Sequence, residues 1–273
     1  MATGHQLTDA MRALGLPGEA LVEPAAGGAS GSAWRVRAGA QSYVLRISSV
    51  RLANARLAAM AAARDAKLPA PRLIRRAGTS AGEAVLLSWQ PGINLLETMM
   101  ATPSDAPHWG RRMGEMQRQL HDILAPTELP SVISDRGHPF GAGIGTTGLP
   151  DGDRLLHLDW HPLNLLADGV TGEICGIVDW DNARQGHPLL DLARTQAILT
   201  VEPALASLPA AVGAQLHAFR EAWVVGYGTD AAAIPPACLA WAGRVMLADL
   251  EPRHAEAPQT LDPLRRWTAG WTR

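Results

Sequence analysis

Short apolar runs alternate with small or turn-forming residues over the first ninety positions of the chain. Four such runs, rich in aliphatic and β-branched side chains, stand at residues 33–37, 42–47, 72–74 and 83–89. The turn-like residues 38–41 between the first two runs predict a β-hairpin. Residues 51–66 are rich in alanine, with Leu52, Leu57 and Met60 at near-helical spacing, and they predict a helix. This part of the chain therefore predicts a small unit rich in β-structure.

Downstream of Pro91 and Gly92, the hydrophobic residues recur at helical spacing. Predicted helices are marked by the apolar positions Trp109, Met113, Met116 and Leu120 and by the amphipathic stretches 213–227 and 236–250. Residues 126–153 are rich in glycine and proline and predict a long loop. The whole pattern predicts an α+β protein of two units, a β-rich one at residues 1–90 and a larger, mainly helical one at 91–273.

Composition narrows the class of protein. Hydrophobic residues make up 47% of the chain and charged residues 18%, which predicts a globular protein with a sizeable core. The 24 basic and 26 acidic residues give no basic excess, so we expect no nucleic-acid partner. Cys175 and Cys238 cannot form a disulfide framework, and neither a basic–apolar leader nor a membrane span of ~20 apolar residues is apparent. We therefore expect a cytoplasmic protein with no membrane contact.

Chemistry is concentrated between residues 154 and 194, where His157 and Asp159 are followed by Asn164 and then by Asp179. Kinase-type phosphoryl transfer needs these residue types, because one carboxylate must orient the attacking hydroxyl. A second carboxylate and an amide oxygen must hold Mg²⁺ against the nucleotide phosphates, since this hard cation prefers oxygen ligands. The segment therefore predicts a phosphoryl-transfer site.

The local pattern explains why this spacing works. Two apolar runs, residues 163–167 and 173–178, are separated by a turn-like segment and predict an antiparallel hairpin. Asn164 enters the first strand and Asp179 leaves the second, which puts both at the same open end. Asp159 precedes that end in a proline-containing loop. We expect the three side chains to face one cleft.

The segments HLDWHPLNLL and GIVDWDNARQGHPLLDLAR resemble the catalytic loop and metal segment of the aminoglycoside phosphotransferase and choline kinase-like superfamily. The resemblance implies a two-lobed, protein-kinase-like fold with a β-rich N-lobe and a helical C-lobe. It implies that Asp159 is the catalytic aspartate and that Asn164 and Asp179 bind magnesium. It also implies that Asp191 braces the catalytic loop, and we expect His157 to hold this loop by hydrogen bonds.

A weaker resemblance extends into the first ninety residues. Residues 27–32 are similar to the loop that covers the nucleotide, residues 43–47 to the strand that carries a phosphate-pairing cation, and residues 88–90 to the adenine-contacting linker. The candidate nucleotide-binding residues are accordingly Gly28, Ser30, Gly31, Arg46, Ser88, Trp89 and Gln90.

The chain also departs from the family pattern. Arg46 stands where protein kinases carry lysine, although its forked, permanent cation suits phosphate. Asp65 is the only acid in the predicted helix at 51–66, so the usual cation–glutamate pair cannot form there and the partner that orients Arg46 stays open. The other departures are Leu158 and Leu163 in place of glycine and His187 in place of aspartate.

These observations predict an ATP- and Mg²⁺-dependent enzyme, with GTP as an alternative donor, that phosphorylates a hydroxyl of a small molecule. The resemblance favours an antibiotic acceptor, of the aminoglycoside type or another, over a metabolite such as an amino alcohol, sugar or amino acid. Two rivals are a regulatory, nucleotide-binding pseudokinase and a zinc hydrolase that uses His157, Asp159 and His161. Acids such as Glu202 and Asp249 are candidates to attract a cationic acceptor, although most acids of this region are expected to be solvated. The oligomeric state stays open.

Overall fold

The computed structural model describes residues 4–25, 33–134, 144–228 and 233–272. Their strands are β1 Leu21–Pro24, β2 Ala33–Ala38, β3 Gln41–Ser48, β4 Leu73–Thr79, β5 Gly82–Ser88, β6 Ile93–Asn94, β7 Arg154–Leu156, β8 Leu165–Asp168, β9 Glu173–Ile177 and β10 Arg184–Gly186. Their α-helices are α1 Gly4–Ala13, α2 Val50–Asp65, α3 Leu95–Ala101, α4 Ala106–His121, α5 Pro188–Val201, α6 Ala210–Tyr227, α7 Pro236–Leu250 and α8 Asp262–Gly270.

The N-terminal part is a five-stranded antiparallel sheet with the order β1-β2-β3-β5-β4. Strands β2 and β3 form the predicted hairpin, with Ala38 opposite Gln41 across the turn. The predicted helix is α2, which begins after Ser49, whose hydroxyl accepts a hydrogen bond from the amide of Leu52. One sheet face, including Leu45, packs under α1, while Val85 and Leu87 belong to the main core. Arg46 follows Leu45 in the central strand β3 and lies opposite Val85, so it lies on the sheet face that is turned toward the main core.

Helices α4 and α6 form the centre of the C-terminal part, and glycine lets their backbones approach closely. A Cβ atom on Gly110 or Gly114 would lie 2.1 Å from a carbonyl oxygen of α6, and one on Gly226 would lie 2.2 Å from the Arg111 carbonyl oxygen. The apolar face predicted for α4 is confirmed, since Trp109, Met113 and Leu120 are buried and Met116 is partly buried. The predicted helices at 213–227 and 236–250 correspond to α6 and α7.

A small three-stranded sheet, β6-β8-β9, packs against α3 and α4 of the C-terminal part. Strands β8 and β9 pair antiparallel, with Leu165 opposite Ile177, which confirms the predicted hairpin. The two-lobed α+β architecture is thus confirmed, while the division at residue 90 stays a prediction. Within the described ranges, we find no helix with the length and hydropathy needed to span a membrane.

Candidate active site

Asp191, in the first turn of α5, holds the loop that contains Asp159. Its carboxylate accepts hydrogen bonds from the backbone amides of His157, at 3.0 Å, and Leu158, at 2.9 Å. His121 Nε2 lies 3.0 Å from the same carboxylate, and Tyr227 Oη lies 3.0 Å from His121 Nδ1. Burial alone would raise the pKa of Asp191, but the hydrogen bond and charge of His121 lower it below its usual value. The carboxylate therefore stays ionised and holds the backbone of the loop through these two amide hydrogen bonds.

Two residues of the site have a left-handed backbone that non-glycine residues rarely adopt. Leu158 has φ +61° and Asp179 has φ +58°. Such a conformation stores on the order of 1–3 kcal/mol per residue and persists only where neighbouring groups enforce it. Leu158, at a position where the family carries glycine, is fully buried and its amide is held by Asp191. At Leu158 the loop thus adopts a backbone conformation that usually requires glycine.

His157 joins the loop to the end of β9. Its Nε2 lies 3.0 Å from the carbonyl oxygen of Val178, to which it donates a hydrogen bond. The ring is fully buried and makes edge contacts with Trp160 and Trp180, with centroids 5.6 and 5.0 Å away. Burial lowers the pKa of His157, which keeps the imidazole neutral. These contacts suit the supporting role expected from the sequence.

The structure brings the three predicted side chains Asp159, Asn164 and Asp179 to one cavity of about 420 Å³. Asn164 directly precedes β8, and Asp179 follows β9 after a hydrogen bond between the Val178 amide and the Asn164 carbonyl, at 2.9 Å. Asn164 Nδ2 donates to Asp159, at 2.9 Å to its carbonyl oxygen and 3.1 Å to Oδ2. Because the amide nitrogen is used in this way, Asn164 Oδ1 is the atom left for a cation.

Asp159 is held as a carboxylate by its neighbours. Burial would raise its pKa, but His161, with Nε2 3.4 Å from Oδ1, and the charge of Arg194 lower the pKa far below its usual range. A carboxylate with so low a pKa is a weak base near neutral pH. Asp159 is therefore suited to accept a hydrogen bond and orient a hydroxyl.

Arg46 reaches from β3 to the acidic segment after β9. Its NH1 lies 3.2 Å from Asp179 Oδ1, and its NH2 donates to Asp181 Oδ2. Arg56 of α2 donates from Nε to the other oxygen of Asp181, at 2.6 Å. The sequence left the partner of Arg46 open, and the structure places Asp181 in that position. The sequence feature that could have identified this partner is Asp181 itself, the second acid of the Asp179-Trp180-Asp181 segment.

The remaining predicted nucleotide contacts lie at the end of β5 or outside the described residues. Ser88 Oγ accepts hydrogen bonds from the Arg72 amide, at 2.9 Å, and from Gln90 Nε2, at 3.1 Å. Trp89 lies beneath the Arg35 guanidinium, 4.4 Å from the ring centroid. Three candidates, Gly28, Ser30 and Gly31, fall outside the described residues. A nucleotide role for these six residues stays a prediction.

Comparison with known proteins decides the family. The Phosphotransferase enzyme family matches residues 21–140 and 148–234, which is more than half of the chain. The chain belongs to this family. A search of curated proteins found no match.

Solved structures similar to this phosphotransferase share its fold at low identity. An aminoglycoside-3'-phosphotransferase of type VIII is 18% identical, with TM-score 0.65, and the match covers 89% of this chain and 99% of that one. A thermostable mutant of aminoglycoside phosphotransferase APH(4)-Ia, in ternary complex with AMP-PNP and hygromycin B, is 15% identical, with TM-score 0.63 and 98% of both chains covered. APH(3'')-Id from Streptomyces rimosus is 16% identical, with TM-score 0.61 and coverage of 91% and 99%.

Two departures of this phosphotransferase from the family pattern have structural explanations. His187 precedes α5, and its Nδ1 accepts a hydrogen bond from the Leu189 amide at 3.2 Å, so it serves as the N-cap of the helix that carries Asp191. Leu163 is exposed and lines the cavity that contains Asp159. Its added bulk therefore faces the site.

The zinc alternative finds no support in the geometry. Among residues 4–25, 33–134, 144–228 and 233–272, no group of three histidine, cysteine, aspartate or glutamate side chains is arranged to hold a metal ion. His157 points to the Val178 carbonyl oxygen, and His161 Nε2 lies 3.1 Å from Asn164 Nδ2. The two imidazoles thus have partners other than a shared metal.

Proposed function

We propose that this phosphotransferase transfers the γ-phosphate of ATP to a hydroxyl of a small molecule. The observation that carries the proposal is the convergence of Asp159, Asn164 and Asp179 on one cavity, with Arg46 bound to Asp179 at 3.2 Å. Kinase-type catalysis needs a hydroxyl-orienting carboxylate, oxygen ligands for the metal and a cation for the phosphates. This chain supplies each of these groups from a different side chain.

The donor set suits Mg²⁺, because Asn164 Oδ1 and the Asp179 carboxylate are hard oxygen ligands beside one cavity. These two residues would hold the ion, which neutralises phosphate charge when bound. Arg46 binds the nucleotide phosphates through its guanidinium. Asp159 accepts a hydrogen bond from the acceptor hydroxyl and aligns its oxygen with the γ-phosphate. Catalysis then rests on orientation and charge neutralisation.

The similarity to solved aminoglycoside phosphotransferases supports a choice of donor and of acceptor class. AMP-PNP in the APH(4)-Ia complex supports an adenine nucleotide, and GTP remains the alternative donor. An antibiotic alcohol is the favoured acceptor and a metabolite alcohol is the alternative; ATP-dependent phosphorylation of a panel of both classes separates them. The pseudokinase hypothesis rested on the missing helix glutamate and on Arg46 in place of lysine. Asp181 supplies an acidic partner for Arg46, which weakens the first of these grounds.

The proposal is tested by Asp159→Asn, which preserves shape but removes the negative charge. We expect phosphate transfer to fall by at least about 100-fold, because the hydroxyl loses its orienting acceptor. ATP affinity should change less than about threefold, since Asp159 contacts no phosphate in this mechanism. Asp168→Asn, at the end of β8 just before the turn to β9, is the control and should retain activity. Unchanged turnover in Asp159→Asn would refute the assignment.

A further inference from the structure

The cavity beside Asp159 continues into a wall that is mainly apolar. It is formed by side chains of α3, α5, α6, α7 and the segment after α5, among them Met99, Ile198, Leu205, Leu208, Leu216 and Met246. A cavity of about 420 Å³ has the size that binds drug-like molecules. Because buried apolar area is the main source of affinity in such a site, a matching ligand needs an apolar surface of its own.

Most charged side chains of this wall have a local counter-charge. Apart from the acids at the phosphate end, its acidic side chains are Glu202 and Asp249, and its basic ones are Arg194 and Arg253. Asp249 is paired with Arg253, with Oδ1 and NH2 3.1 Å apart. A ligand with several ammonium groups needs several carboxylates without a local counter-charge, since each buried cation must be paired. Arg194 interacts most strongly with Asp159, so Glu202 is the acid of the described wall that is available to a ligand cation. The wall thus suits one cationic group but not several.

We propose that the acceptor is an alcohol with a largely apolar body and at most one cationic group. This inference rests on the proposed function and narrows the acceptor class beyond it. The hydroxyl lies at Asp159, and the apolar body lies against α5, α7 and the segment that contains Leu205. A polycationic aminocyclitol fits this wall poorly, because its ammonium groups would be desolvated against aliphatic side chains.

Calorimetric titration of the protein saturated with Mg·AMP-PNP tests the acceptor class without relying on turnover. The probes are ethanolamine, N-octylethanolamine and hygromycin B, so the first two differ only in the apolar body. We expect N-octylethanolamine to bind at least about tenfold more tightly than either other probe, since each buried methylene contributes ~0.8 kcal/mol. Equal affinity of the two ethanolamines, or tighter binding of hygromycin B, overturns the proposal.

A matched pair of variants locates the effect on the wall. Leu205→Asp places a carboxylate in the cavity, and Ala206→Asp places one on the exposed side of the same turn. Leu205→Asp should weaken N-octylethanolamine binding at least about fivefold, and Ala206→Asp should not. Equal effects of the two variants contradict the placement. Failure of Mg·AMP-PNP itself to bind counts against the proposed function and is measured first.

An independent observation concerns how Arg46 is positioned. The Arg46 and Arg56 side chains are only 8% and 5% exposed, and both donate to the carboxylate of Asp181, which is 30% exposed. Buried guanidinium groups need a counter-charge, and two of them share this one. In the family pattern a helix glutamate pairs with the strand cation. Here the helix α2 contributes Arg56, and the acid comes from the segment after β9.

We infer that Asp181 is a positioning residue that holds Arg46 for the nucleotide phosphates in place of a helix glutamate. With Asp181 bound to NH2 and Asp179 at NH1, the guanidinium is fixed beside the metal-binding end of the cavity. Arg56 orients Asp181 from the opposite side, through its other carboxylate oxygen. Compared with a cation–glutamate pair, the charges have exchanged positions. The helix α2 contributes a cation, Arg56, and the acid that holds Arg46 is Asp181, after β9.

Relocating the carboxylate to α2 tests this inference. Asp181→Asn should weaken Mg²⁺-free binding of a fluorescent ATP analogue at least about fivefold and raise the KM for ATP more than it lowers kcat. Adding Arg56→Glu to Asp181→Asn places an acid on α2 facing Arg46, and we expect it to restore at least half of the lost affinity. The unfolding midpoints of the two variants, measured in parallel, should not fall and recover together with the ATP affinity.

Two results would overturn the inference. One is wild-type ATP affinity in Asp181→Asn. The other is a folded double variant that binds ATP no better than Asp181→Asn. Asp65→Asn, at the other end of α2, is the control and should bind ATP as the wild-type protein does.

Discussion

Asp191 and Asp181 both hold parts of the candidate site in place, but they do so in different surroundings. Asp191 is fully buried and accepts hydrogen bonds from backbone amides and from His121, all within the C-terminal part of the fold. Asp181 is 30% exposed and joins side chains of β3 and α2 that precede it by 135 and 125 residues. One aspartate therefore supports the loop, and the other connects the two lobes.

This difference predicts that Asp191 contributes mainly to the stability of the fold and Asp181 mainly to the position of Arg46. A buried carboxylate with several donors cannot be removed without leaving those donors unsatisfied, each at a cost of about 1–3 kcal/mol. Asp181 is partly exposed, so water can replace part of its contacts, and Arg46 keeps Asp179 Oδ1 at 3.2 Å as a counter-charge. Loss of Asp181 should therefore change the position of Arg46 more than the stability of the fold. We expect the conformation of the loop that contains Asp159 to depend on Asp191, and the position of the Arg46 guanidinium to depend on Asp181.

The largest effect on stability is expected for Asp191→Asn. The amide keeps the shape of the side chain but presents an NH₂ group to donors that now lack an acceptor. We expect the free energy of unfolding to fall by on the order of 3–5 kcal/mol, as for other broken buried pairs. Urea denaturation followed by circular dichroism measures this loss.

Two controls sharpen the comparison between the aspartates. Asp153→Asn removes an exposed carboxylate that pairs with Arg154 and should change the free energy of unfolding by less than ~0.5 kcal/mol. Asp181→Asn should lose less than half of what Asp191→Asn loses. Equal losses for Asp181→Asn and Asp191→Asn would mean that both aspartates serve the fold, and the distinction would fail.

Much of the C-lobe site could be predicted from the sequence because it is built locally. The hairpin of β8 and β9 follows from two apolar runs and a turn, and its open end brings Asn164 and Asp179 together. The buried face of α4 followed from helical periodicity in the same way. In each case the interacting residues lie close in sequence, so period and spacing determine which face they share.

Contacts between distant segments could not be predicted in this way. The sequence showed that α2 lacks a glutamate, but no pattern relates Arg46 and Arg56 to an acid more than a hundred residues later. His121 gave no signal at all, because its role depends on α4 lying beside α5 and α6. The apolar wall of the cavity could not be predicted either, since its residues come from helices whose facing sides are set only by packing.

The smallest effect is expected at His187, whose side chain caps the helix that carries Asp191. His187→Ala removes the acceptor for the Leu189 amide and should cost about 1 kcal/mol at pH 7.5. His187→Asp, which restores the family's residue, should be at least as stable as the wild-type protein, because a carboxylate caps well and interacts favourably with a helix N-terminus. Urea denaturation of the three proteins measures both effects.

The pH dependence of the free energy of unfolding distinguishes a histidine that caps the helix from one that is only packed against it. Burial, with a smaller effect from His121, lowers the pKa of His187, so the unfolded chain binds this proton before the folded protein does. The stabilising contribution is therefore complete above the unfolded pKa of about 6.5 and is lost as the pH falls below it. Between pH 7.5 and 5.5, the wild-type protein should lose more stability than His187→Ala. A parallel decline of the two proteins would show that His187 does not contribute through its neutral Nδ1, and the cap would then be incidental to the support of Asp191.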